Sequence, residues 1–149
     1  MDKSKSSKIA ICVVVILIAL TAIFIAIHLA TRDSVDSGSI VIETNGNSQS
    51  VKINSISTTA VEGIVVNGKG EKKTITGNGI ELKTLLADYT VNTVTVIASD
   101  EYSADIDGTE LAEAGKAYLM IENGKGNLVV FGDKNSKRNV SDVVKFVVK

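Results

Sequence analysis

The chain opens with a long, almost continuous apolar run and then changes to short apolar runs separated by turn residues. Residues 9–30 are apolar except for Thr21 and His28. As a helix this run would extend about 33 Å, which is enough to cross a hydrocarbon core of about 30 Å. Three lysines precede the run and acidic residues follow it, so the positive-inside rule places the N-terminus in the cytoplasm. The pattern predicts a cytoplasmic tail at residues 1–8 and one transmembrane helix at residues 9–31.

A cleaved signal peptide is the alternative interpretation of the same run. Signal peptides have apolar cores of about 7–15 residues and a cleavage site flanked by small residues. This run is longer, and His28 stands where a small residue would be needed for cleavage after Ala30. An uncleaved anchor is therefore expected, with the remainder of the chain outside the cytoplasm. Cys12 lies near the cytoplasmic boundary, where it either faces lipid or carries a reversible acyl group.

The remainder of the chain has the pattern of a β-rich domain. Residues 32–39 are polar and contain a glycine, which predicts a linker, and residues 40–149 form the predicted domain. Asn-Gly pairs at Asn45, Asn67 and Asn123 predict turns between strands, because this pair tolerates positive φ. The predicted strands cover residues 40–44, 61–66, 72–75, 94–98, 103–106, 117–121, 128–131 and 143–148, with 51–56 as a weak strand or short helical turn.

Two short helices are expected between these strands. Four apolar residues follow the i, i+3, i+4, i+7 spacing of one helical face, which predicts a helix over residues 80–89. These residues are Leu82, Leu85, Leu86 and Tyr89. A second helix is expected at residues 111–114, with Asp107 or Thr109 as its N-cap. The predicted fold is α+β, with a mostly antiparallel sheet that is curved and barrel-like or arranged in two layers, and two short helices after the transmembrane helix.

The composition excludes several classes of active site. The only cysteine is Cys12 and the only histidine is His28, so residues 40–149 hold no disulfide, thiol nucleophile or histidine base. The formal net charge of −1 disfavours a nucleic-acid partner, because binding to phosphates requires a concentrated basic face. Whether the chain is an enzyme stays open, and these residues favour a non-catalytic role.

Acidic residues are densest at residues 100–110. Asp105 and Asp107 precede Gly108 as in part of an EF-hand loop, but Ala114 stands where the closing bidentate glutamate is needed. A solvated face is therefore expected there, and no metal site is predicted.

A small basic loop and three Gly-x-Gly pairs are the remaining candidates. Lys134, Lys137 and Arg138 could hold an anionic ligand or lipid headgroups, or they could form a solvated loop between strands. None of the Gly-x-Gly pairs opens a long helix, so turns are favoured over phosphate cradles.

The order of motifs from Gly79 onward resembles the sulfite-oxidase-type molybdopterin-binding domain. That family has a Gly-x-x-Leu-x-x-Leu-Leu helix, a valine-rich strand with an Asp-x-Tyr-Ser hairpin, an Asn-Gly hairpin, a Gly-Asp turn and an Arg-x-Val stretch before its last strand. The matching residues here are Gly79, Leu82, Leu85, Leu86, Val94, Val96, Asp100, Tyr102, Ser103, Asn123, Gly124, residues 128–133, Arg138, Val140 and residues 143–148. The resemblance runs from about residue 61 to 149 and implies a mixed α+β fold on a curved, barrel-like sheet.

The resemblance also indicates which residues would contact a ligand. By analogy with the family's cofactor loops, the candidate binding residues are Asp100, Tyr102, Asp133, Lys137 and Arg138. Catalytic members ligate molybdenum through a cysteine upstream of the Gly-x-x-Leu helix, and they hold the pterin with histidines and arginines. The predicted domain has neither cysteine nor histidine, which favours a non-catalytic relative.

Three functions are compatible with the sequence. The leading hypothesis is a membrane-anchored, extracytoplasmic binding or scaffold module. It would contact the lipid bilayer through residues 9–31, and its domain would bind an unidentified envelope protein or small ligand. The second hypothesis is an accessory redox or electron-transfer protein that binds a molybdopterin or flavin non-covalently, although no cofactor is expected. The third is a structural envelope protein.

Overall fold

The computed structural model describes residues 38–149 and four residues of the apolar segment, Val14, Ile18, Ala19 and Thr21. These four are helical, and the Thr21 hydroxyl donates a hydrogen bond to the Ile18 carbonyl at 2.8 Å. The predicted cytoplasmic tail, the rest of the predicted transmembrane helix and most of the predicted linker lie outside the described residues. Within the described part of the chain, no helix is long and apolar enough to span a membrane. The chain divides into two compact units, Met1–Ser34 and Val35–Lys149.

The second unit consists mainly of β-strands. Its described residues form the strands β1 (Ser39–Thr44), β2 (Asn47–Lys52), β3 (Thr59–Val66), β4 (Lys72–Glu81), β5 (Thr93–Ala98), β6 (Ser103–Asp107), β7 (Ala117–Glu122), β8 (Lys125–Val130) and β9 (Val143–Val148). Its two α-helices are one turn long, α1 (Leu82–Leu85) and α2 (Gly108–Leu111), and a 3-10 turn covers Ile53–Ser55.

The strands form two sheets. The five-stranded sheet has the order β2-β1-β9-β5-β6, and the four-stranded sheet has the order β3-β4-β7-β8. Neighbouring strands are antiparallel except β1 and β9, which run parallel with Val41 opposite Lys145. An isolated bridge between Leu128 of β8 and Val140 leads the chain from the four-stranded sheet to β9. The first and last strands of the domain therefore lie side by side in the larger sheet.

Asn-Gly turns close two of the hairpins, as the sequence predicts. Asn45 and Gly46 have φ values of 48° and 80° between β1 and β2, and Asn123 and Gly124 have values of 51° and 75° between β7 and β8. Positive φ at both central residues is the mark of a type I′ turn, whose twist matches that of the flanking strands. Asparagine and glycine tolerate this conformation, which explains why these pairs stand here.

The β3–β4 hairpin is also present, but its Asn-Gly pair works differently. The positive φ, 83°, falls on Gly70 rather than on Asn67. The Asn67 side-chain oxygen instead accepts hydrogen bonds from the backbone N–H groups of Lys69 and Glu71, each at 2.9 Å. The asparagine thus organises this loop through its side chain.

The main core lies between the two sheets. Alternation along β5 buries Val94, Val96 and Ala98, as the period-two pattern predicts. Phe146 of β9 is 0% exposed and is the largest fully buried side chain. The four-stranded sheet contributes the buried residues Ala117, Leu119, Leu128 and Val130 to the same core. Burial of apolar surface at about 25 cal/mol per Å² makes this shared layer the main source of stability.

The predicted α+β class is wrong, because the domain is mainly β. Leu82 and Leu86 are buried, as the helical spacing requires, with exposures of 0% and 1%. However, Ile80 and Glu81 continue β4 and pair with β7, so the helix begins only at Leu82. One turn is enough to place both leucines in the core, and no helical layer covers either sheet in residues 38–149.

The barrel-like sheet, one of the two arrangements that the sequence leaves open, is also wrong. A barrel requires its edge strands to pair with each other. In the described domain, β2 and β6 are the edges of one sheet and β3 and β8 are the edges of the other. The two sheets face each other across the core, as in a sandwich.

The second helix has one of the two predicted N-caps but begins earlier than predicted. Asp107 is its N-cap, and the carboxylate accepts a hydrogen bond from the Thr109 N–H at 2.9 Å. The helix begins at Gly108, three residues earlier than predicted. A Cβ on Gly108 would lie 2.0 Å from the Val91 carbonyl oxygen, so only glycine fits at this position.

A second apolar cluster lies on the face of the four-stranded sheet that points away from the main core. Its buried members are Val61, Val65, Met120 and Val129. The Phe131 ring lies against the bare backbone of Gly63, where an added Cβ would be only 2.4 Å from a ring carbon. Gly79 allows a similar approach, since a Cβ there would lie 2.9 Å from the Leu119 carbonyl oxygen. The Gly-x-Gly pair of β4 therefore serves close packing.

We predict that Gly63→Ala lowers the free energy of unfolding by about 2 kcal/mol, because the new methyl group overlaps the Phe131 ring. Gly68→Ala is the matched control, since the nearest atom to its Cβ would be 4.0 Å away, and its effect should stay within about 0.5 kcal/mol. Urea unfolding followed by circular dichroism measures both. Equal midpoints for the two variants would contradict the close packing of Phe131 on Gly63.

Candidate functional site

The turn between β5 and β6 is a compact loop that holds Tyr102 in a fixed position. The Ala98 N–H donates to the Tyr102 carbonyl at 2.8 Å, and the Tyr102 N–H donates to the Asp100 carboxylate at 3.1 Å. Glu101 completes the turn with a φ of 70°, a left-handed conformation that is uncommon for residues other than glycine and asparagine. Asp100 and Tyr102 are therefore presented on a well-defined loop.

The segment between β8 and β9 is held by side-chain amides. The Asn135 side-chain oxygen accepts a hydrogen bond from the Lys137 N–H at 3.0 Å, and the Asn139 N–H donates to the Ser136 carbonyl at 3.0 Å. The Asn139 side-chain oxygen accepts from the N–H of Val130 at 3.0 Å. These hydrogen bonds give the polar loop a defined shape.

These two loops meet through Tyr102. Its hydroxyl donates a hydrogen bond to the backbone carbonyl of Lys137, 35 residues further along the chain. Tyr102 nevertheless remains 47% exposed. Around it lies a hollow of about 390 Å³, lined by Ala98, Asp100, Tyr102, Ser136, Lys137, Asn139 and Ser141. We call this hollow the Tyr102 cleft.

A second hollow, of about 490 Å³, is lined by Ser99 and Asp142, whose chain neighbours Ala98, Asp100 and Ser141 line the Tyr102 cleft. The Asp142 carboxylate accepts hydrogen bonds from the Ser99 hydroxyl at 2.8 Å and from the Lys125 ammonium at 2.9 Å. These contacts lower the pKa of Asp142, with the Lys125 hydrogen bond as the largest cause and the Ser99 hydrogen bond next. Asp142 thus stays ionised and ties the ends of β5, β8 and β9 together.

Two residues with left-handed backbone conformations lie at this end of the domain. Four residues other than glycine have positive φ in the described chain, and two of them are the asparagines of the Asn-Gly turns. The other two are Glu101 and Asp142, with φ values of 70° and 53°. A left-handed conformation costs roughly 1–2 kcal/mol for a residue such as Glu101, whereas aspartate adopts it more readily, and strain of this kind clusters at functional sites. Both residues adjoin the Tyr102 cleft, which makes it the leading candidate site.

Arg138 and Asp133 lie in a separate ion-pair cluster with Glu110 and Lys116. The Arg138 guanidinium binds both carboxylates with two hydrogen bonds each, including Nε to Asp133 at 2.8 Å and a second nitrogen to Glu110 at 2.6 Å. The Lys116 ammonium lies 3.3 Å from Glu110 and 3.8 Å from Asp133. Through these ion pairs, the loop after β8 contacts helix α2 and the residue that precedes β7. Its two cations and two anions balance.

The cluster shifts the pKa values of its members in the expected directions. Hydrogen bonding to Arg138 is the largest cause that lowers the pKa of Glu110 to about 2, and burial opposes it. Hydrogen bonding to Glu110 is the largest cause that raises the pKa of Arg138. Bidentate pairs of this kind are among the strongest ionic contacts. The hydrogen bonds of the Arg138 guanidinium to Glu110 and Asp133 therefore compete with any anionic ligand.

The structure therefore separates the five residues that the resemblance selects. Asp100, Tyr102 and Lys137 line one cleft, whereas Asp133 and Arg138 share the ion-pair cluster. These residues do not fit a phosphate-bearing pterin or flavin, since Arg138 is paired and Asp100 places a negative charge beside Lys137. In the described part of the chain, no group of three or more histidine, cysteine or acidic residues could hold a metal ion.

Several residues of this region give no signal in the sequence. Ser99 and Lys125 reach Asp142 from 43 and 17 residues away, and Glu110 reaches Arg138 from 28 residues away. Such pairs depend on which strands become neighbours, and the spacing of residues along the chain does not contain that information. The exposed Tyr102 was found because it belongs to a recognisable Asp-x-Tyr-Ser turn.

Comparisons with known proteins find no family model and no curated protein that matches the chain.

We predict that acid destabilises the domain partly through Glu110. Its folded pKa of about 2 lies below the value of about 4.3 for an unfolded chain. The carboxylate therefore contributes stability above the unfolded value, and this contribution is lost as pH falls through the interval toward 2. Glu110→Gln should lower the free energy of unfolding by about 1–2 kcal/mol at pH 7, and the difference from wild type should shrink toward pH 2.

The measurement is urea unfolding of both proteins at pH 7, 5, 4 and 3. Glu113→Gln is the matched control, because Glu113 is exposed and lies three residues from Glu110. Asp107 and Asp142 also have lowered pKa values, so only the difference between wild type and Glu110→Gln isolates this group. A difference that is constant across this pH range would show that the Glu110–Arg138 contact does not set the pKa of Glu110.

Proposed function

We propose that this chain is a membrane-anchored, non-catalytic binding module whose domain faces the outside of the cytoplasmic membrane. The observation that supports this most directly is the Tyr102 cleft. Two loops far apart in the sequence are joined by the hydrogen bond from the Tyr102 hydroxyl to the Lys137 carbonyl, and this contact leaves the aromatic ring exposed. Concave sites with a few convergent polar groups are the usual places where proteins bind small molecules.

The proposed anchoring rests on the sequence. The apolar run at residues 9–30 is long enough for a hydrocarbon core, and its flanking charges favour a cytoplasmic N-terminus. We also propose a relationship to the sulfite-oxidase-type domain, supported by the order of motifs and by the meeting of Asp100, Tyr102 and Lys137 in one cleft, although the two-sheet, mainly β domain differs from the mixed α+β fold that the resemblance implies. A scaffolding or structural role would differ from the binding of a small ligand, because it would require a protein partner at this surface.

The location of the domain can be tested by cysteine labelling. Because Cys12 is the only cysteine, Cys12→Ala gives a cysteine-free background. Ser48 is exposed in edge strand β2, so Ser48→Cys in this background should react with a membrane-impermeant maleimide on intact cells. Ser4→Cys, in the predicted cytoplasmic tail, should react only after the cells are permeabilised. The reverse pattern would refute the proposed orientation.

The binding site can be tested by photo-crosslinking in native membranes. A photoreactive residue at Lys137 lies at the Tyr102 cleft, and one at Ser48 lies near the opposite end of the five-stranded sheet, beside the β1–β2 turn. We expect crosslinked adducts from position 137 that decrease with Tyr102→Ala, and no such adducts from position 48. Adducts that are equal at both positions, or absent at 137, would contradict a binding role for the cleft.

A further inference from the structure

The charged groups around the Tyr102 cleft cancel each other. Asp100 and Lys137 line the cleft with one charge of each sign, and the neighbouring hollow has Asp142 paired with Lys125 at 2.9 Å. The nearby Arg138 is bound to two carboxylates. A phosphate, a nucleotide or an anionic lipid headgroup needs a surplus of positive charge, and this surface has none. The electrostatics therefore favour a neutral ligand.

The uncharged lining is made of hydroxyl and amide groups. Ser136, Asn139 and Ser141 line the Tyr102 cleft, and Asn54 and Asn123 line the neighbouring hollow. The Asn139 side-chain oxygen already accepts from the Val130 N–H, which fixes the orientation of the amide and makes its NH₂ group the donor for a ligand. A ligand with many hydroxyl groups can both donate to Asp100 and accept from such amides.

The aromatic ring supplies the third feature. The Tyr102 hydroxyl is held by the Lys137 carbonyl and its backbone by Asp100, so the ring is fixed before any ligand arrives. A fixed ring loses little conformational entropy on binding. An exposed aromatic face packs well against the C–H face of a pyranose, and the amphipathic tyrosine suits a partner that is apolar on its faces and polar at its rim.

We propose that the Tyr102 cleft binds a neutral saccharide, with one sugar ring stacked on Tyr102 and its hydroxyl groups hydrogen-bonded to Asp100 and Asn139. This inference rests on the proposed function and names the ligand class of that same site. The neighbouring hollow beyond Ser99 and Asp142 gives a chain of sugars room to extend. A short oligosaccharide or a glycan polymer of the cell envelope would present the same chemistry.

The test uses the full chain in detergent and isothermal titration calorimetry with cellopentaose, maltopentaose and chitopentaose. Cosedimentation with insoluble envelope polysaccharide is measured in parallel. We expect at least one saccharide to bind with a Kd below about 10 mM. Binding to a pentasaccharide would identify a free oligosaccharide as a sufficient ligand, and cosedimentation alone would identify the polymer.

Variants connect the binding to the cleft. Tyr102→Ala should weaken binding by about tenfold or more, because it removes the stacking surface. Tyr102→Phe keeps the ring but loses the hydrogen bond to Lys137, and a smaller loss of about two- to fivefold is expected. Ser48→Ala is the matched control and should bind as wild type. Unchanged circular dichroism spectra would show that the variants are folded.

The tyrosine content allows a second readout of the same event. The chain has three tyrosines and no tryptophan, so Tyr89→Phe together with Tyr118→Phe leaves Tyr102 as the only emitter. The saccharide that binds should change this emission with the same Kd that calorimetry gives. Saturable binding without any change in emission would place the saccharide elsewhere on the domain.

Three negative results have different meanings. If none of the saccharides binds while position 137 still crosslinks to a partner in membranes, the saccharide assignment is wrong and the binding module remains. Inorganic pyrophosphate and a neutral peptide are titrated in the same way, and if either binds in place of the sugars, the ligand class is likewise wrong. If neither binding nor crosslinking is found, the proposed function fails together with this inference.

Discussion

The bridge between Leu128 and Val140 is the constraint on which this end of the domain depends. The two residues exchange backbone hydrogen bonds of 2.7 and 3.0 Å, and each is 1% exposed. Through this bridge the chain leaves the edge of the four-stranded sheet and enters β9 of the five-stranded sheet. The bridge is buried in the shared core, so residues 139–142 have one position relative to both sheets. Asn139, Ser141 and Asp142 consequently reach the hollows on either side of this segment.

The ion pairs around this segment decide what the surface can bind. Without Glu110 and Asp133, the guanidinium of Arg138 would give the loop after β8 a concentrated positive charge. With them, both carboxylates are saturated by Arg138 and Lys116, and the loop is held against helix α2. Ionic contacts at this level of exposure add modest stability. Their larger consequence is electrostatic, because they remove the charge that an anionic cofactor would need.

Most strands were predictable because they carry a hydrophobic pattern, whereas β2 was missed because its first four residues are polar and exposed, and residues 53–55 of the weak strand or short helical turn predicted at 51–56 form a 3-10 turn. The alternation of Val94, Val96 and Ala98 and the final run at residues 143–148 match β5 and β9 closely. The helix over residues 80–89 was overestimated, since its apolar spacing suits one buried turn as well as three. Ile80 and Glu81 belong to a strand and not to a helix because their backbones pair with β7, whose residues are about 40 positions away. The division into two sheets also depends on such distant partners, which no local pattern specifies.

The same distinction between local and distant information applies to the candidate site. Asp100 and Tyr102 lie in one turn, so a local motif could find them, but the approach of Lys137 and the pairing of Arg138 with Glu110 required the fold. The resemblance and the positive charge of Arg138 therefore suggested a ligand site, whereas in the structure its guanidinium is hydrogen-bonded to Glu110 and Asp133.

The left-handed backbone conformations of Glu101 and Asp142 give a physical reason to regard this end of the domain as functional. At Asn45 and Asn123 the left-handed conformation is adopted by asparagine, which tolerates it. Asp142 also has this conformation, and both its backbone and its carboxylate form hydrogen bonds. Its N–H donates to the Asn127 side-chain oxygen at 2.9 Å, and its carbonyl accepts from the Ser99 N–H at 2.9 Å. Glycine would also adopt this conformation at Asp142 but would lose the carboxylate that holds Ser99 and Lys125. Aspartate therefore combines a left-handed backbone with that carboxylate, and its chain neighbour Ser141 lines the Tyr102 cleft where we place the ligand.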